Sequence, residues 1–326
     1  MTKSRSSSPL RDLPKVVLAR WYRNRQKWAL LCATALLCLP SFILVASLPV
    51  SAYVQQRNVL HVVIRQKGIN TVVPTPTLVP TATPTPTPAP TRTPTPFVAQ
   101  PSPEPIASLP TTWSQQVNVL QANYRLFYHG NVNLPEVALT FDDGPNPPYT
   151  SQILDVLRSY NVKASFFDVG YLVRKYPDLV RQEMAEGHVV GNHTWDHAHL
   201  PPLSTGDITR EINDTSDELQ KVTGTRPTFF RPPYGETDAH TLTIINNLGL
   251  TTFMWNVDPA DWSRPAPNVV SSKVTNVARN GVIILLHDGG GDRTNTVTAL
   301  STIIQKLQAR GFRFVTLSQL VDDAKS

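Results

Sequence analysis

Five clusters of charged, histidyl and aromatic side chains stand between residues 142 and 288 of a 326-residue chain. They are Asp142-Asp143, His193-Thr194-Trp195-Asp196-His197, Arg231-Pro232-Pro233-Tyr234-Gly235, Asp258-Pro259-Ala260-Asp261-Trp262 and His287-Asp288. Two histidines four apart plus a carboxylate, with positions left open for water, make a common catalytic metal arrangement. A metal lowers the pKa of its bound water and so supplies a nucleophile at neutral pH. A second carboxylate could then take the proton, and His287, beside a carboxylate, is a candidate proton donor. Each cluster also has an ordinary explanation on its own. Asp142-Asp143 could open a solvated turn, and the histidine pair could lie on a surface helix. Arg231 could serve a structural salt bridge, Trp262 could be core, and His287 could be a satisfied core histidine.

The elements that carry the clusters decide between these explanations. Strands are expected at Glu136–Phe141, Ala164–Val169, His188–Asn192, Thr228–Arg231, Thr251–Trp255, Val282–His287 and Arg313–Thr316. Helices are expected between them at Thr150–Tyr160, Tyr171–Glu186, Ser204–Val222, Ala239–Leu248, Asn268–Ala278 and Thr296–Ala309, with a short one from Ser318. Ser204 and Asp207 form the start signal of the third helix. Seven βα units in alternation imply an α/β fold with a parallel sheet, either closed into a barrel or doubly wound and open. All five clusters directly follow a strand, and barrel enzymes build their sites at the C-terminal ends of strands. Chance scatter would not place all five there. Neighbouring strand residues point in opposite directions, so Asp142 and Asp143, expected at a strand tip before the Gly144-Pro145 break, should do different jobs. One helical turn would set His193 and His197 on a common face. Arg231, on the inner rim, needs a carboxylate partner, because burying it unpaired is costly. Asp196 is expected in solvent and His199, ahead of Pro201-Pro202, on the rim.

With these motifs in order from about Glu136 to Leu320, the chain resembles the NodB-homology polysaccharide deacetylases, carbohydrate esterase family 4. The resemblance implies a distorted (β/α)7-type barrel and metal-dependent removal of acetyl groups from a polysaccharide. It implies Asp143, His193 and His197 as metal ligands, usually for zinc, with cobalt or another divalent ion as the alternative. It implies Asp142 as general base oriented by Arg231, and His287 as general acid tuned by Asp261. The Tyr234 backbone N–H would help hold the oxyanion, and Trp262 and Leu285 would wall the acetyl pocket. Asp168 departs from the pattern, since similar sequences carry an apolar residue after the Phe166-Phe167 pair; it is expected to be solvated. No catalytic motif position is missing, which argues against a degenerate, binding-only relative.

The rest of the chain is organised differently. Residues 1–111 hold 12 Lys/Arg against Asp12 and Glu104, whereas residues 112–326 hold 18 against 22 Asp/Glu. The pI of about 9.4 therefore comes from the N-terminal part, and nothing in the acidic remainder suggests a nucleic-acid partner. Residues 1–28 form a basic tail and Ala29–Val50 an uncharged span of 22 residues, enough to cross a bilayer with the N-terminus in the cytoplasm. Val50-Ser51-Ala52 offers the rival of a cleaved signal peptide and secretion. Cys32 and Cys38 lie in that span and read as apolar filler. Residues 51–73 form a juxtamembrane segment with no functional reading. Residues 74–111 form a Thr/Pro-rich linker, disordered and extended, whose repeats could reach roughly 100 Å at about 3.1 Å per residue. Residues 112–326 are the expected catalytic domain. An anchored enzyme on such a stalk suits peptidoglycan N-acetylglucosamine. A tethered carbohydrate-binding module without turnover, or a related metal hydrolase of a small non-peptide amide, are the alternatives.

Overall fold

The computed structural model describes residues 102–326. The expected span at 29–50, the segment 51–73 and the linker as far as residue 101 lie outside the described residues. Among the described residues no helix is long and apolar enough to cross a membrane. Among the described residues eight strands form one parallel sheet: β1 (Leu126–Phe127), β2 (Glu136–Gly144), β3 (Ser165–Asp168), β4 (Val189–Asn192), β5 (Phe229–Phe230), β6 (Thr251–Phe253), β7 (Val282–His287) and β8 (Arg313–Phe314). Their order is β1-β6-β5-β4-β3-β2-β7. The last strand, β8, pairs with Glu136 and Val137 at the start of β2, where β3, joining only from Thr140, does not reach. Two isolated bridges tie β7 back towards the other edge. Val257, beyond β6, pairs with Ile284, and His129, beyond β1, pairs with Val282. The sheet thus closes through single bridges rather than a full ladder, and the open-sheet alternative is set aside.

Parallel strands covered on both faces read as continuous apolar runs, and the buried run Val282-Ile283-Ile284-Leu285-Leu286 is one. The two-residue alternation then sorts the side chains. Ala138, Phe167, Phe253 and Ile283 meet in the interior cluster. Phe141, Phe166, Ile284 and Leu286 meet the surrounding helices. Those helices are α1 (Trp113–Ala122), α2 (Tyr149–Ser159), α3 (Gly170–Lys175), α4 (Pro177–Ala185), α5 (Thr205–Thr223), α6 (Ala239–Asn247), α7 (Pro267–Thr275), α8 (Thr294–Ala309) and α9 (Leu317–Lys325). Ser204 caps α5, its Oγ accepting from the Asp207 N–H at 3.2 Å, and Gly224 ends that helix at φ 78°.

Three expectations change. The single helix over 171–186 is two, because Pro177 has no N–H to continue the ladder and disfavours helical geometry at Tyr176, found at φ −129°. Strand β1 and helix α1 were not expected; two residues of strand give too short a periodic signal to read. The linker does not run to residue 111. Ile106, Leu109 and Trp113 pack on the cluster of Leu120, Leu126, Leu242 and Met254. The Asn246 side chain brackets Ile106, accepting from its N–H at 3.1 Å and donating to its carbonyl at 3.0 Å.

Candidate active site

The site stands on the end of β2, which runs through Gly144 rather than stopping before the aspartates. Its register with β3 shifts between Asp142 and Gly144, and Asp143 takes a left-handed φ of 72°. This bulge separates the two carboxylates, as bulges do where a side chain must be re-aimed. Asp142 turns into the barrel and Asp143 towards the histidine loop. Gly289 is required here, since a Cβ on it would overlap the Asp143 backbone.

Asp142 is held by Arg231, whose Nη1 donates to Asp142 Oδ1 at 2.7 Å and to Thr140 Oγ1 at 2.8 Å. The Arg231 Nε and Nη2 donate to the carbonyls of Phe253 and Met254, each at 3.1 Å. The guanidinium lies 4.3 Å from the Phe167 ring centroid and is fully buried. Burial lowers its pKa while the Asp142 charge and hydrogen bond oppose that shift. Every arm is occupied, which is the condition for burying an ion pair without leaving a polar group stranded. The expectation that Arg231 needs a carboxylate is met.

His193 and His197 converge as their spacing suggested, but not on a helix. Both lie in the loop after β4, where Thr194 and His197 sit at φ 67° and 64°, and their ring centroids are 5.0 Å apart. Side-chain bonds hold this loop in place of helical ones. Asn192 Oδ1 accepts from Thr194 N–H at 2.8 Å, and Glu211 Oε2, on α5, accepts from Trp195 N–H at 2.9 Å. Glu211 had no local signal in the sequence, because it works across a loop sixteen residues away.

Asp143, His193 and His197 offer three ligand atoms within 4.8 Å of one another, a possible metal site. His193 Nδ1 hydrogen-bonds the Arg231 carbonyl at 2.8 Å, which makes Nδ1 the donor and leaves the Nε2 lone pair facing out. That lone pair lies 3.5 Å from Asp143 Oδ1, and His197 Nε2 lies 3.1 Å from the same oxygen. Asp143 Oδ1 is buried without a hydrogen-bond partner. Electron pairs pointing at one another in this way are satisfied by a cation, so the donor set fits a divalent ion. Burial opposes charge on Asp143, but the His193 and His197 rings beside it and the His287 charge outweigh it and hold the carboxyl well below its usual range.

On the opposite wall, His287 ends β7 and its Nδ1 donates to Asp261 Oδ1 at 2.8 Å. Asp261 Oδ2 accepts from the His287 N–H at 2.9 Å and from Thr296 Oγ1 at 2.8 Å. The carboxylate serving His287 is thus Asp261, while the adjacent Asp288 turns to the other face and accepts from Thr150 Oγ1 at 2.5 Å. Burial lowers the His287 pKa, yet Asp261, then Asp143 and Asp142, more than reverse this and raise it to about 9. Leu285 is buried two residues below His287 on the same strand face, and Trp262 is 37 % exposed at the mouth. Tyr234 takes φ 63° in a 3-10 turn (Pro233–Gly235) and sets its ring edge-on to His197 at 4.5 Å. Asp196 is exposed and His199 pairs with Glu236 at the rim, as expected.

Asp168 is not solvated. It is fully buried at the end of β3 on the helix-facing side, with Glu183 from α4 and Asp288 also fully buried. Burial pushes Asp168 up to about 7, against a lowering contribution from its hydrogen bond with Glu183. Burial and the charges of Asp168 and Asp288 push Glu183 well up. The unfolded chain ionises Glu183 above its ordinary pKa of 4.5 while the folded chain keeps it protonated. Stability from this group is therefore full below pH 4.5 and lost as pH rises towards its folded pKa. Glu183→Gln should flatten that loss and raise the Tm at pH 8 by about 3–6 °C. Melting curves of parent and variant at pH 5 and pH 8 with equal separation at both would refute this.

The parallel α/β fold agrees with the comparisons. The family model described as polysaccharide deacetylase matches residues 129–253. A peptidoglycan-N-acetylglucosamine deacetylase of Bacillus cereus is 41% identical over 187 residues, covering 57% of this chain and 87% of the relative. The chain belongs to the polysaccharide deacetylase family. It is a hydrolase acting on carbon–nitrogen bonds other than peptide bonds. The peptidoglycan-N-acetylmuramic acid deacetylase PdaC of Bacillus subtilis is 40% identical over 193 residues, 59% of this chain but only 40% of that longer protein. A crystal structure of a peptidoglycan N-acetylglucosamine deacetylase superimposes with a TM-score of 0.60 at 37% identity, covering 62% of this chain and 94% of the other.

Proposed function

We propose that this deacetylase removes N-acetyl groups from peptidoglycan N-acetylglucosamine outside the cytoplasm, held to the membrane by residues 29–50. The observation that carries the catalytic reading is the Asp143 oxygen faced by two histidine Nε2 atoms, with the Asp142–Arg231 pair on one side and the His287–Asp261 pair on the other. The peptidoglycan deacetylases similar to this chain support the substrate. Asp143, His193 and His197 would hold a divalent ion, with zinc favoured by the mixed nitrogen and oxygen donors, and that ion would supply a nucleophile at neutral pH and a Lewis acid for the acetyl carbonyl.

The chain's own groups do the rest. Asp142 accepts the proton of the attacking water, its other oxygen fixed by Arg231 so that one lone pair faces the cleft. The Tyr234 backbone N–H, turned by its left-handed geometry, donates to the oxyanion that forms as the carbonyl becomes tetrahedral. His287, with Nδ1 committed to Asp261, protonates the leaving amine through Nε2 as the C–N bond breaks and acetate departs. Trp262 and Leu285 wall the acetyl methyl.

The test is a panel with the full chain that reads acetate release from peptidoglycan, chito-oligosaccharide and acetylated xylan, and ring opening of a small cyclic amide. Release from peptidoglycan that stops on chelation and returns with zinc is expected. Binding without release from any glycan would favour the tethered binding module, and turnover of the cyclic amide alone would favour the small-amide hydrolase.

A further inference from the structure

Arg264 lies in the loop after the 3-10 turn Asp261–Ser263, two residues beyond Trp262. Its backbone is left-handed, φ 58° and ψ 43°, a conformation in which glycine is the least costly residue. The side chain is exposed. Among the described residues Arg264 and Arg279 alone of the arginines form neither an ion pair nor a guanidinium hydrogen bond, and Arg279 precedes β7, away from the mouth. The guanidinium lies over Gly291, where a Cβ would stand 2.8 Å from its Nη2. A Cβ on the preceding Gly290 would stand 2.5 Å from Asp143 Oδ2. Chain geometry across these two glycines bounds the distance from the Arg264 guanidinium to the Asp143 carboxylate at about 12 Å. That reach is comparable to one or two sugar units.

The loop beneath Arg264 is fixed. Arg293 is buried and ties Gly289 and Gly290 to the Trp262 loop, donating to the Gly289, Gly290 and Trp262 carbonyls at 2.5, 3.0 and 3.3 Å. Asn295 Nδ2 donates to the Arg264 and Pro265 carbonyls at 3.3 and 3.0 Å. The acid beside Arg264 is Asp292, whose Oδ1 accepts from the Thr294 N–H, the Thr294 hydroxyl and the Tyr149 hydroxyl; these bonds, and after them the Arg264 charge, lower its pKa to about 2, yet the two form no ion pair. A cation in a strained backbone, on a braced loop one short step from the metal ligand, is placed to pair with an anion on the substrate. A planar guanidinium suits a carboxylate in particular.

We infer that Arg264 is a specificity residue which recognises a carboxylate carried by the sugar beside the one that is deacetylated. The inference rests on the deacetylase reading above and deepens it: the preferred polymer is an anionic glycan, such as one with lactyl-ether or stem-peptide carboxylates, over neutral chitin-like chains.

The test uses three oligosaccharides of equal length: one with free lactyl carboxylates, the same one with them reduced to alcohols, and one bearing stem peptides. Calorimetric binding and acetate release are measured for the full chain and for Arg264→Gln and Arg264→Lys. The parent should bind the free-carboxylate glycan about 5- to 10-fold more tightly than the reduced one, an advantage that shrinks in high salt. Arg264→Gln should lose that ratio, through KM rather than kcat, and Arg264→Lys should keep part of it. A matching loss with the peptide-bearing glycan alone would assign recognition to the stem-peptide carboxylate. Equal effects of Arg264→Gln on the free and reduced glycans, or no discrimination by the parent, would overturn the inference. Discrimination in binding without acetate release from any glycan would instead overturn the deacetylase reading and leave the role of Arg264 standing.

Discussion

Asp142→Asn should cut acetate release by about 10³-fold or more while the protein still binds one equivalent of zinc. The argument separates two carboxylates that are adjacent in sequence. Asp143 Oδ1 lies 3.1 and 3.5 Å from the His197 and His193 Nε2 atoms, whereas Asp142 Oδ2 lies 3.8 Å from His193 and its Oδ1 is committed to Arg231. Loss of a general base costs about 10²–10⁴-fold. The amide in the variant can still accept from Arg231 but cannot take a proton at working pH. Arg231 keeps its carbonyl partners at Phe253 and Met254, so the fold should survive, with a lower Tm because a buried cation loses its counter-charge. Metal content by mass spectrometry, acetate release and melting are read on the same sample. Full activity would defeat the mechanism. Loss of metal with Asp142→Asn, but not with Asp143→Asn, would mean that the two roles are exchanged.

What could be read from the residues divides along a physical line. The strands that carry the site are apolar runs that announce themselves locally, and Val282–His287 coincides with the observed β7. The convergence of five clusters follows from parallel topology alone, since every strand then delivers its C-terminal residues to one face. Backbone geometry could not be read. The histidine pair meets across a loop built on positive φ values at Thr194 and His197, not on a helix turn, and Asp143 is re-aimed by a bulge. Neither leaves a trace in spacing, because a separation of four fits a helix and a tight loop equally. Asp168 shows the same limit from the other side. A charge after two phenylalanines suggests a solvated strand end, but what fixes its environment is Glu183, fifteen residues later on a helix that packs over it.

His287→Ala should reduce acetate release by about 10²–10⁴-fold with metal retained, and the pH dependence tells why. In the parent protein the Asp261 pair raises the His287 pKa to about 9 against the effect of burial. The acid form is therefore present at neutral pH and lost as pH rises, so activity should fall on an alkaline limb. A dication on Asp143 would repel the charged imidazole, which places that limb at or below pH 9 rather than above it. Asp261→Asn removes the largest favourable contribution and leaves burial opposed only by Asp143 and Asp142, so the limb should move to lower pH and activity at pH 8 should fall further than at pH 6. His287→Ala should lose the limb altogether, since no ionising donor remains. The two variants separate a proton donor from a merely structural histidine. A structural role would lower activity equally at every pH and would leave the limb of the Asp261→Asn protein where the parent has it.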